Sequence, residues 1–164
     1  MRYTIKKGDI YRVVLEDNTV RFFQYLGKDI SALNGDVIRI FKHHYDNNIV
    51  INTEEIVSDS VEGYMHTSVI VGLNQGLWQK YSSSSNLGSK DVLFRTSQDS
   101  GLYPFQHIVS HKWVVWKMNE ERIFVGSLPS EYQGADLGGV YAPIHVVYRL
   151  ATGKMPDKYY PDYE

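Results

Sequence analysis

The chain has 164 residues, 43% apolar and 22% charged, with 17 Lys plus Arg against 19 Asp plus Glu, six His and no Cys. That length suits one domain that buries its own core without a disulfide or a metal, and a net charge of −2 excludes whole-chain attraction to DNA or an anionic membrane. The missing cysteines exclude disulfide scaffolds, cysteine nucleophiles and thiolate zinc sites. The start, Met1-Arg2-Tyr3-Thr4-Ile5-Lys6-Lys7, lacks an apolar stretch of signal-peptide length, and no segment reaches the length of a membrane span. A cytoplasmic protein is therefore expected. It should have one domain over residues 1–154 and an acidic, Tyr/Pro-rich tail over 155–164 that is either disordered or strapped to the body by its tyrosines.

In chain order, Lys7-Gly8-Asp9 reads as a turn, and Ile10 to Leu15 as a strand. After the polar break Glu16-Asp17-Asn18, Thr19 to Leu26 forms a second strand, with Val20 and Phe22 on one side and Arg21, Phe23 and Tyr25 on the other. The short break makes the pair a hairpin. Gly27 to Gly35 reads as a loop with a helical turn at Ser31 to Asn34, and Asp36 to Lys42 as a third strand. Alternation from Tyr64 to Val71 predicts another strand. Tyr81 to Lys90, with its run of four serines, reads as a mobile surface loop. Val92 to Thr96 is a short strand. Lys112 to Met118 and Arg122 to Val125 flank Asn119-Glu120-Glu121 as a second hairpin. One helix is expected over 143–152, opened by Pro143 and closed by Gly153. Ile144, Val147, Tyr148 and Ala151 share one face of it. The fold class is strand-dominated α+β, an antiparallel bent sheet or open small barrel with one main C-terminal helix.

The chemical motifs are mostly broken. His107 and His111 have i, i+4 spacing, but Ile108 stands where the HExxH pattern needs its glutamate. His43 and His44 are neighbours, so in a strand they face apart. No GxSxG elbow exists; Gly88-Ser89 lies in the serine loop. Gly134, Gly138 and Gly139 fit neither phosphate-loop pattern and read as a turn before the helix. Arg12, Arg21, Phe22, Phe23, Tyr25, Arg39 and Lys42 resemble the stacking-plus-cation sets of single-strand binders, yet no RNP-like sequence accompanies them. No catalytic residue, cofactor, metal, nucleic acid or membrane is expected. A cleft gathering His66, His107 or His145 with carboxylates would instead favour the alternative, a β-barrel that binds a small ligand or nucleic acid and is conceivably enzymatic.

Two features favour a protein partner. Thirteen Tyr, six Phe and three Trp supply strand formers and interface anchors alike. Residues 46–76 hold five acids, Asp46, Glu54, Glu55, Asp59 and Glu62, and no Lys or Arg. These acids are the candidate partner-binding residues, able to meet a basic protein or simply to solvate a sheet edge.

The opening, from Ile5-Lys6-Lys7-Gly8-Asp9 through the apolar strand and acidic turn to Val20-Arg21-Phe22-Phe23-Gln24-Tyr25, resembles the start of the type-26 immunity proteins of bacterial polymorphic-toxin loci. The resemblance covers roughly the first 30 residues and transfers no site residue. It implies a non-enzymatic inhibitor that binds a cognate protein toxin stoichiometrically.

Overall fold

The first hairpin sets the frame. In the computed structural model, which describes residues 2–101, 108–156 and 161–164, β1 (Asp9–Val14) pairs antiparallel with β2 (Thr19–Asp29). β2 continues past the expected end at Leu26, because a register shift between Tyr25 and Gly27 lets it keep pairing with β3 (Gly35–Phe41). β5 (Val61–Thr67) pairs with β3, and β6 (Gln79–Ser83) with β1; two residues of β4 (Tyr45–Asp46) join the start of β2. The strand order is β5-β3-β2-β1-β6.

A second sheet has the order β10-β7-β8-β9: β7 (Leu93–Ser97), β8 (Trp113–Lys117) and β9 (Ile123–Gly126) are antiparallel, while β10 (Asp136–Leu137) runs parallel to β7. The fold is thus strand-dominated α+β, its sheets not closed into a barrel. The main helix, α3 (Pro143–Thr152), has the expected bounds, with Gly153 in the left-handed region at φ 71° donating its N–H to the Arg149 carbonyl.

Both faces of the first sheet are covered. Tyr11, Val13, Phe23, Tyr25, Ile38 and Ile40 meet Val146 and Leu150 of α3. On the other face Ile10, Val20, Phe22 and Phe41 meet Ile56 and Val57 of α1 (Thr53–Val57). The alternation seen along β2 is this division between two buried faces. A third cluster, with Leu26, Val37, Phe94 and Trp116, joins the sheets.

Several expectations need correction. The strand predicted to Val71 stops at Thr67, because Ser68 caps α2 (Val69–Asn74) and Asp36 accepts the Val69 N–H at 2.8 Å. Helix α1 was hidden by its shortness; Asn52 caps it, with Glu54 and Glu55 in its first turn. The serine loop begins as strand β6, and beyond it the Ser84 and Asn86 carbonyls accept from the buried Gln24 and Arg39 side chains. The glycine segment at 134–139 contains β10, and a side chain at Gly138 would overlap the Trp116 ring. In the tail, Asp162 exchanges backbone hydrogen bonds with Ile108 and Ser110, and Tyr163 packs near Trp113, so residues 161–164 are strapped to the body.

The Trp78 ring lies over Gly72 of α2, where a Cβ would collide with its six-membered ring, and the indole N–H donates to the Val69 carbonyl at 3.0 Å. Gly72→Ala should lower stability by about 1–3 kcal/mol. The check is urea denaturation, with a lower midpoint and an unchanged slope.

Candidate functional site

The clefts and clusters that could do chemistry divide into buried polar junctions and exposed surface. The first junction is built on Asp29, at the end of β2, fully buried together with His66 of β5. One carboxylate oxygen faces His66 Nε2 at 2.8 Å and accepts from Trp116 Nε1 at 3.0 Å; the other accepts the backbone N–H groups of Ser31 and Asn119, each at 3.0 Å. Gly139 N–H approaches His66 Nδ1 at 3.5 Å. Both contacts suit a neutral imidazole that carries its proton on Nε2. Burial holds His66 below its ordinary range. Burial opposes ionisation of Asp29, yet the hydrogen bonds from His66, Trp116, Asn119 and Ser31 outweigh it and hold the carboxyl below the usual carboxylate range. Both groups are closed off from solvent, and the pair anchors the elements that bond it.

The second junction is ionic. Glu62 pairs with Arg21 at 3.1 Å and with Arg149 at 3.3 Å, and Arg149 pairs with Asp136 at 2.8 Å. Burial raises the Asp136 carboxyl above its usual range against the pull of Arg149. A cleft of about 370 Å³ opens beside Glu62, Asp136, Asp91 and Glu131. Three of these acids already have partners, Asp91 taking Lys117 at 2.7 Å. Among the described residues no group of three or more His, Asp or Glu could hold a metal ion.

The remaining sequence candidates are scattered. His107 lies outside the described residues, and His111 is exposed with Nδ1 3.0 Å from Ser127 Oγ. His43 packs on the Tyr45 ring while His44 faces Thr19, so the adjacent pair does part. His145 is exposed on α3. The nucleic-acid set fails as a platform, since Arg21, Phe22, Phe23, Tyr25 and Arg39 are all buried.

The acidic segment does not act as one unit. Glu62 turns inward to the two arginines. Asp46 pairs with Thr19 in β4, beside Asp17, whose carboxylate takes both the N–H and the hydroxyl of Thr19. Asp59 accepts the His43 N–H at 2.7 Å. Burial and then the charges of Glu55 and Asp59 raise the Tyr45 hydroxyl above its ordinary value, so both acids flank the strand that carries Asp46. Asp46, Glu54 and Glu55, with Glu16 and Asp17 of the first turn, are exposed; Lys42, His43 and His44 are exposed beside them in sequence. Sequence reading singled out the segment but missed Glu16 and Asp17, whose only signal was their place in the hairpin turn.

The helix supplies one more surface. Its buried side is Val146, Arg149 and Leu150; of the shared face read from spacing, Ile144 and Tyr148 stand outward at 55% and 45% exposure and Ala151 is exposed, while Val147 packs partly against the core. The helix is apolar on two sides. This face and the β1–β2 turn bound a groove of about 450 Å³.

Comparison with protein-family models, curated proteins and solved structures finds no match to the chain. Among the described residues no helix is long and apolar enough to cross a membrane.

The depressed His66 value has a testable sign. The unfolded chain takes up this proton near pH 6.5 and the folded chain does not, so stability falls as pH drops through that value. Urea midpoints should decline between about pH 7.5 and about pH 5.5, and His66→Gln should flatten the decline. Asp29→Asn, which turns an amide N–H toward donors that faced a carboxylate, should cost about 2–4 kcal/mol by the same measurement.

Proposed function

We propose that the chain is a non-enzymatic binding protein that acts by one-to-one association with a basic protein, and specifically that it is an immunity protein neutralising a cognate toxin. The observation that carries this reading is the convergence of Asp46, Glu55 and Asp59 with Asp17 around the Tyr45 strand. Glu54 lies on the same short helix as Glu55. A cluster of exposed carboxylates raises the capture rate of a cationic partner, chiefly through the on-rate. The buried Asp29–His66 pair is consumed by the architecture, which suits an inhibitor that needs a rigid face more than reacting groups. The opening hairpin's resemblance to type-26 immunity proteins supports the finer part of the proposal.

The test reverses Asp46, Glu54, Glu55 and Asp59 to Lys and leaves Glu62 in place, since its removal would take the carboxylate from Arg21 and one of two from Arg149. Stopped-flow association with the toxin encoded beside the gene is then measured at low and high salt. The on-rate should fall by about tenfold or more at low salt, and the difference should shrink as salt rises. An unchanged on-rate removes the acids from the mechanism. A chain that neither binds nor protects against that toxin contradicts the immunity reading.

A further inference from the structure

The outward face of α3 leaves Ile144 and Tyr148 exposed. A helix that is apolar on two sides is normally buried on both. Here Val146 and Leu150 fill the core, while Ile144, Val147, Tyr148 and Ala151 face a groove whose other wall is Val14 and Leu15. Val14, Ile144 and Tyr148 are each more than two-fifths exposed. The groove's volume, about 450 Å³, lies in the range of built binding pockets.

Residues 161–164 of the C-terminus lie elsewhere. Asp162 is hydrogen-bonded to Ile108 and Ser110, and Tyr163 packs by Trp113 on the second sheet. The groove's charge is one-sided: Glu16 and Asp17 form its polar edge, and among the described residues no Lys or Arg lines it. The stripe from Ile144 to Ala151 along one wall runs about 10 Å, two turns. A second helix presents side chains at the same i, i+3, i+4, i+7 spacing and can interlock with it.

We propose that this groove seats an amphipathic helix of the partner protein, with an apolar stripe on α3 and lysines or arginines against Glu16 and Asp17. This rests on the reading of the chain as a protein-binding module and names the partner's docking element. The acidic edge then governs how fast the complex forms, and the groove how slowly it comes apart.

The probe is a synthetic helical peptide with leucines at i, i+3, i+4 and i+7 and lysines elsewhere. Its controls are the same leucines with glutamates, and a scrambled order of the lysine peptide. Fluorescence anisotropy should give saturable one-to-one binding of the lysine peptide alone. Ile144→Lys with Tyr148→Lys should weaken it by about tenfold or more, and Glu16→Lys by a smaller, salt-dependent factor. These positions are exposed, and unchanged circular dichroism and urea midpoints would show that the variants fold. Equal binding of the glutamate or scrambled peptide overturns the proposal. So does loss in Glu16→Lys with none in the α3 variant, which puts the peptide on the acidic edge alone. A stable dimer by sedimentation that Ile144→Lys dissociates overturns it in favour of a second copy. Because no toxin enters this assay, a failed peptide leaves the immunity reading to its own test, and a failed toxin leaves the peptide result standing.

Discussion

One buried carboxylate ties the molecule together. Asp29 gathers an imidazole from β5, an indole from β8, the amide of Ser31 beyond β2 and the amide of Asn119 between β8 and β9. An anion taken out of water without a cationic partner is costly unless donors surround it. Here the donors belong to both sheets, so the charge is satisfied only when the sheets are docked in one arrangement. The same carboxylate stiffens the β2–β3 connection. Arg122 donates to the Ser31 carbonyl there, and Ile30 and Leu33 stand out at 71% and 91% exposure. Leu33 adopts φ 54°, a conformation leucine takes only under constraint.

The arginine network repeats the device at the other end of the sheet. Arg21 crosses from β2 to Glu62 and to the Leu150 carbonyl of α3, and Arg149 returns from the helix to Glu62, Asp136 and the Tyr64 carbonyl. The buried groups Asp29, His66, Arg21 and Arg149 are therefore spent on registering one layer against another. What the surface offers is an acidic edge with an apolar groove beside it, and Glu16 and Asp17 belong to both. Rigid backing matters to such a face, because a surface already ordered loses less entropy on binding. In the proposed complex, long-range charge and short-range apolar contact fall to adjoining residues.

The parts of the fold that were legible in sequence are those that local chemistry decides. The two hairpins announced themselves by polar breaks between alternating strands, and α3 by Pro143 and Gly153. The illegible parts depend on distant groups. Alternation continued through Ser68 to Val71, but the cap by Asp36 and the fit of Gly72 under Trp78 turned that stretch into a helix. Asn52-Thr53-Glu54-Glu55 has a capping-box spacing that marked α1, weakened by the helix being five residues long. For the candidate site, the acidic segment stood out as a composition bias. That Glu62 serves the core while Asp46, Glu54, Glu55 and Asp59 remain outside follows from strand pairing that charge counting does not contain. The inner side of α3 was obscured because apolar residues occur on two faces, and Arg149, the residue that looks least like core, is one of those buried.

The central claim is that this chain works by occupying a partner and not by transforming it. Titration calorimetry against the proposed toxin, with toxin activity measured at each point, tests that claim directly. The account predicts saturation at one chain per toxin, activity falling in proportion to the chain added, and recovery of active toxin when the complex is dissociated. Loss of toxin activity at a small fraction of one equivalent, persisting after the chain is removed, would mark an enzyme and contradict it.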